Sequence, residues 1–138
     1  MRPTTVLVVE DLEGIRELLG EVLGFYGYDV LMAASVPEAE AIRQRMGLGG
    51  LDLVLTDLRL TGLPQAREGA ELIQRWHAVI PALPFILVGG DLRSHDLRDL
   101  PGAGVWCLAK PFEATALLTA VHEALGHAHK GQRHSARV

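Results

Sequence analysis

A chain of 138 residues that is 49% hydrophobic suffices for one core, and its net charge of −4 excludes the basic footprint of a nucleic-acid binder. A single cysteine, Cys107, excludes an internal disulfide; lying in an apolar run, it reads as core filler in a reducing compartment. No apolar run approaches the roughly 18 residues of a membrane span, and Met1-Arg2-Pro3 leads straight into a strand, so a cytoplasmic domain without membrane insertion is expected.

The apolar run Val6 to Val9 predicts a strand covered on both faces that delivers Glu10 and Asp11 to its carboxyl end. Leu12, Ile15, Leu19, Val22, Leu23 and Tyr26 recur at helical spacing with Glu13, Arg16, Glu17 and Glu21 opposite, until Gly24 and Gly27 stop the helix. Tyr28 to Ala33 is a second strand. Ser35 and Glu38 then form the pattern of a capping box for a helix running to about Met46. The glycine-rich stretch Gly47 to Gly50 lacks phosphate-loop spacing and reads as a turn. A third strand, Leu53 to Thr56, ends on Asp57. A long turn-rich loop, residues 58–67, precedes a helix that begins near Glu68, with Ala70, Ile73, Trp76, His77 and Ile80 inward. Pro81 and Pro84 end that helix before a fourth strand, Phe85 to Val88, followed by Gly89-Gly90-Asp91. Residues 92–100 are expected to form a short polar helix and Val105 to Leu108 a fifth strand into Lys110-Pro111. A last helix with Leu117, Leu118, Val121 and Leu125 inward is expected to end near Gly126, leaving 127–138 as a polar tail or cut linker.

Five alternations of strand and helix require right-handed crossovers and a parallel sheet with helices on both faces, a doubly wound α/β domain over residues 1–126. Ligands of such sheets bind outside the carboxyl ends of the strands. A lone Asp after a strand usually opens a turn or caps a helix. Asp57 has company: Glu10-Asp11 closes an earlier strand and Lys110-Pro111 a later one. Three carboxylates cannot stay ionised together without a cation, and hard oxygen ligands suit Mg²⁺, with Mn²⁺ as a substitute. Lys110 adds a mobile charge able to contact a phosphoryl group, and one carboxylate could serve as nucleophile.

These residues resemble the receiver domains of bacterial two-component response regulators and hybrid histidine kinases, over about Thr4 to Gly126. The resemblance rests on Glu10-Asp11, on Asp57 after Leu53 to Thr56, on Gly69, and on Lys110-Pro111-Phe112, in order and at family-like separations. It implies a flavodoxin-like strand order 2-1-3-4-5. It further implies that Asp57 accepts a phosphoryl group, that Glu10, Asp11, Asp57 and the backbone carbonyl of Arg59 hold Mg²⁺, and that Lys110 binds the phosphoryl. The implied donor is a histidine kinase or histidine phosphotransfer protein, with a downstream protein partner; the domain would assist only its own phosphorylation and dephosphorylation. Weak homodimerisation through the fourth and fifth helices and fifth strand occurs in the family, although Pro101 and the short fourth helix work against it here.

The sequence departs from that family at its switch positions. Gly89 stands where a Ser or Thr usually supplies a hydroxyl, and Cys107 where an aromatic usually stands, with Trp106 one residue off and on the other face of the strand. Thr61 replaces the proline usual four residues after the phosphoacceptor. Arg59 and Asp91 lie at the rim of the expected site, either pairing across its mouth as a gate or remaining two solvated charges. The six histidines read as surface residues. A phosphorylation-independent interaction module is the competing reading. A nucleotide or flavin enzyme is disfavoured because neither glycine-rich phosphate motif is present. A haloacid-dehalogenase-like phosphatase lacks its second Asp in Asp57-Leu58-Arg59.

Overall fold

The structure is a computed structural model that describes residues 2–90, 92 and 94–137. Its elements run β1 (Thr5–Val9), α1 (Glu13–Phe25), β2 (Asp29–Ala33), α2 (Val36–Met46), β3 (Leu53–Asp57), α3 (Glu68–Val79), β4 (Phe85–Gly89), α4 (Ser94–Leu97), β5 (Val105–Ala109) and α5 (Ala114–Arg137). The strands form one parallel sheet in the order β2-β1-β3-β4-β5, the doubly wound arrangement the alternation predicts.

Because side chains alternate across a strand, each central strand feeds two cores. Leu7, Val9, Val54, Phe85 and Leu87 pack with α2 and α3, through Ala39, Ile42, Leu72, Ile73 and Trp76. Val6, Val8, Leu53, Leu55, Ile86 and Val88 pack with α1 and α5, through Leu19, Leu23, Leu117 and Val121. The continuous apolar runs of β1, β3 and β4 are thus the signature of a sheet covered on both faces. Trp76 is buried packing, and its Nε1 donates to Glu40 Oε1 at 2.8 Å, tying α3 to α2.

Local signals act where expected, with adjustments. Gly27 takes φ 92° just after α1, a left-handed conformation that favours glycine. The Ser35 hydroxyl accepts from the Glu38 amide, while the Glu38 carboxylate accepts from the amide of Ala34, one residue before the cap.

Four expectations need correction. Leu12 and Tyr26 are exposed, at 54% and 57%, because they flank α1 instead of lying on its buried stripe. The fourth helix shrinks to the single turn Ser94–Leu97. Cys107 is exposed and not core filler: β5 is an edge strand whose burial is only partial. The last helix does not stop near Gly126 but continues to Arg137, since one interior glycine costs about 1 kcal/mol and no proline follows to end it.

Candidate functional site at the carboxyl edge of the sheet

β1 and β3 are neighbours, with Val9 paired to Thr56, so the residues that follow them emerge side by side. Carboxylate oxygens of Glu10, Asp11 and Asp57 lie within 4.8 Å of one another. The Glu10 amide extends the sheet, donating to the Ala33 carbonyl at 3.0 Å, which holds Glu10 inward at 2% exposure. β4 brings β5 alongside, and the Lys110 amide donates to the Gly89 carbonyl at 2.9 Å. From there the Lys110 ammonium donates to Glu10 Oε1 at 3.2 Å and to Asp57 Oδ2 at 3.1 Å.

One ammonium does not satisfy this cluster. Glu10 Oε2 is buried and no hydrogen-bond donor faces it. Burial, then the neighbouring Asp57, pushes the Glu10 carboxyl up to about 7 against the opposing pull of Lys110. Burial disfavours the Lys110 charge, but Asp57 and Glu10 more than offset it, so the ammonium is held charged beyond its ordinary range. An orphaned carboxylate oxygen beside two more carboxylates fits a hard divalent cation, for which Glu10, Asp11 and Asp57 supply the donors.

Sequence reasoning missed what braces the site. Arg16, assigned to the polar face of the first helix, turns back so that Nη1 donates to the carbonyls of Glu10 (2.8 Å) and Asp11 (3.3 Å). The long loop after Asp57 is held at both ends: Leu58 N donates to Val88 O and Leu58 O accepts from Gly69 N. The Leu60 amide donates to Glu68 Oε1 at 3.1 Å, and with Thr61 this outweighs burial and holds the Glu68 carboxyl below its usual range. These partners are backbone groups or residues distant in the chain, which no periodicity announces.

Asp91 lies outside the described residues. Arg59 donates through Nε to the Pro64 carbonyl at 2.7 Å and through Nη2 to Asp96 Oδ1 at 3.3 Å. At the two positions expected to act as switches, Gly89 leaves a hollow that Leu92 occupies: a Cβ at position 89 would lie 2.6 Å from Leu92 Cδ2. Trp106 packs on the α1 and α5 side of the sheet, the face opposite Cys107. His77 and His122 are remote from the acidic cluster in the fold, on α3 and α5. The side chains of the other four histidines are outside the described residues.

A doubly wound sheet that carries three carboxylates and a lysine at its carboxyl edge presents there, where ligands of such sheets bind, a cluster that could hold a metal ion. The chain belongs to the response regulator receiver domain family of two-component systems, whose model matches residues 6–122. It is 34% identical over 122 residues to the sensor kinase CckA of Brucella abortus (strain 2308), covering 88% of this chain and 12% of that one. It is 28% identical over 123 residues to sporulation initiation phosphotransferase F of Bacillus subtilis (strain 168), covering 87% and 92%. Among solved structures, the CheY-like response regulator receiver domain protein of Methanospirillum hungatei JF-1 superposes with a TM-score of 0.79 at 27% identity, covering 94% and 99%. The chain spans about an eighth of CckA and 27% of the transcriptional regulatory protein GlrR of Escherichia coli (strain K12), to which it is 31% identical. No helix among the described residues is long and apolar enough to cross a membrane.

Proposed function

We propose that this domain is a phosphoacceptor. A phosphohistidine of a histidine kinase or histidine phosphotransfer protein donates the phosphoryl group: an Asp57 carboxylate oxygen attacks phosphorus, the P–N bond to the imidazole breaks, and an acyl phosphate forms on Asp57. The observation that carries this reading is the convergence of the Glu10, Asp11 and Asp57 oxygens within 4.8 Å under the Lys110 ammonium. Glu10, Asp11, Asp57 and the backbone carbonyl of Arg59 would hold Mg²⁺, or Mn²⁺ in its place, which supplies positive charge for the phosphoryl oxygens. Lys110 releases Asp57 Oδ2 to the attack and pairs with the arriving phosphoryl oxygens. The relatives named a sensor kinase and a phosphotransferase support a place in such a relay. On this reading the domain is not an enzyme acting on a separate substrate; it works in the cytoplasm beside its donor and passes its state to a protein partner, without contact to nucleic acid.

The test is intact mass after incubation with acetyl phosphate and Mg²⁺. One added phosphoryl group is expected, absent from Asp57→Asn and abolished by EDTA. A folded protein that neither gains mass nor binds beryllofluoride contradicts the reading. That result would favour a phosphorylation-independent interaction module, the alternative to which Leu92 over Gly89 and the exposed Cys107 point. Losing one hydrogen bond to a charged phosphoryl costs about 1.5–3 kcal/mol, which weakens its hold on the group without removing nucleophile or lysine.

A further inference from the structure

The absence of a side chain at position 89 raises the question of how the state of Asp57 reaches the fourth helix. Leu92, on the segment leading into α4, fills the hollow where a strand-four hydroxyl would sit. The opposite partner, Cys107, offers neither aromatic bulk nor burial. A different connection is built in their place. The carboxylate of Asp96, on α4, is 1% exposed and pairs at 3.3 Å with Arg59, two residues past Asp57. Arg67, at the other end of the same loop, donates through Nη2 to the carbonyls of Asp96 (2.9 Å) and Arg98 (3.1 Å). Gln74 Nε2 on α3 donates to the Asp99 carbonyl at 2.8 Å. The loop that follows the phosphoacceptor therefore grips α4 directly, and its centre is a charge pair desolvated on the Asp96 side. Such a pair is costly to break on one side only, which ties movement of the loop to movement of α4.

We propose that the Arg59–Asp96 pair couples the Asp57 site to α4, so that α4 responds to phosphorylation through the phosphoacceptor loop and not through a strand-four hydroxyl. This rests on the phosphoacceptor reading above. A change at Asp57 shifts the backbone two residues on; the Arg59 guanidinium, anchored also on the Pro64 carbonyl at 2.7 Å, transmits that shift to Asp96.

The experiment measures amide hydrogen exchange over residues 94–100 with and without beryllofluoride and Mg²⁺, in the wild type, Asp96→Asn and the double variant Arg59→Gln/Asp96→Asn. The double variant removes both charges of the Arg59–Asp96 pair together, so neither is left facing a neutral replacement of the other. The wild type is expected to change its exchange rate there by at least about fivefold, the lower end of ordinary coupling between sites. In both variants the ratio is expected to fall to within about twofold of unity, and Asp96→Asn, which leaves Arg59 in place, is expected to show full phosphoryl uptake by intact mass with acetyl phosphate. A double variant that keeps the wild-type ratio overturns the proposal. So does one whose α4 is already unprotected before activation, which would make Asp96 a residue for folding α4 alone. A wild type that takes the phosphoryl group without any change in α4 overturns the coupling and leaves the phosphoacceptor reading standing. One that takes no phosphoryl group overturns both.

Discussion

Glu10 is the residue on which the site's energetics turn. Its carboxyl is pushed from 4.5 to about 7 by burial and by Asp57, so the folded protein binds this proton more tightly than the unfolded chain does. The resulting contribution to stability is present in full below about 4.5 and is lost as pH rises through about 7 in the absence of metal. Glu10→Gln keeps the shape and removes the titration. Urea denaturation in EDTA should show the stability advantage of wild type over Glu10→Gln shrinking between pH 5 and pH 8; a difference that stays constant would mean burial is not straining the carboxylate. At this scale Glu10, Asp11, Asp57 and Lys110 were legible because three apolar strands end in complementary charges, where a lone carboxylate would have read as a turn or a helix cap. Arg16 and Asp96 were not, since an arginine that bonds backbone carbonyls and an aspartate buried by a distant arginine look like any surface charge in a linear chain.

Among the elements, the start of α3 is the most tightly constrained. A Cβ on Gly69 would collide with the carbonyl oxygen of Asp57, and the Gly69 amide donates to Leu58 O at 2.9 Å. Gly69→Ala must push α3 away from the end of β3, and overpacking of this kind costs about 1–3 kcal/mol. The midpoint of urea unfolding should fall accordingly, and phosphoryl uptake from acetyl phosphate should fall with it because Asp57 is displaced. An unchanged midpoint would show that the loop absorbs the methyl group freely. The sequence marks Gly69 through its place in the family pattern, whereas the reason for it, a close approach of helix to strand end, exists only once β3 and α3 are packed. The single turn of α4 and the full length of α5 were misjudged for related reasons. The stretch 92–100 is held by Arg67 and Gln74 on its backbone carbonyls more than by its own helical pattern, and Gly126 is too weak a signal to end a helix.

For the whole molecule, a cation that binds only the assembled cluster stabilises the fold by mass action. The three carboxylates come from two strands and meet only when the sheet forms, so millimolar Mg²⁺ should raise the melting temperature of the wild type. At a concentration one hundred times the dissociation constant the gain is about 2.7 kcal/mol. Asp11→Asn should lose most of that gain, and an equal shift in both proteins would place the metal elsewhere. What the sequence alone determined was the architecture and the inventory of the site. Apolar runs of strand length alternating with amphipathic helices admit one sheet type, and its strand ends name the charged residues that must meet. Only the tertiary structure decided how those residues are braced and what lies against Gly89. Leu92 reaches Gly89, and Arg59 reaches Asp96, across contacts between segments far apart in the chain or free of any periodic pattern, and such contacts are set by packing.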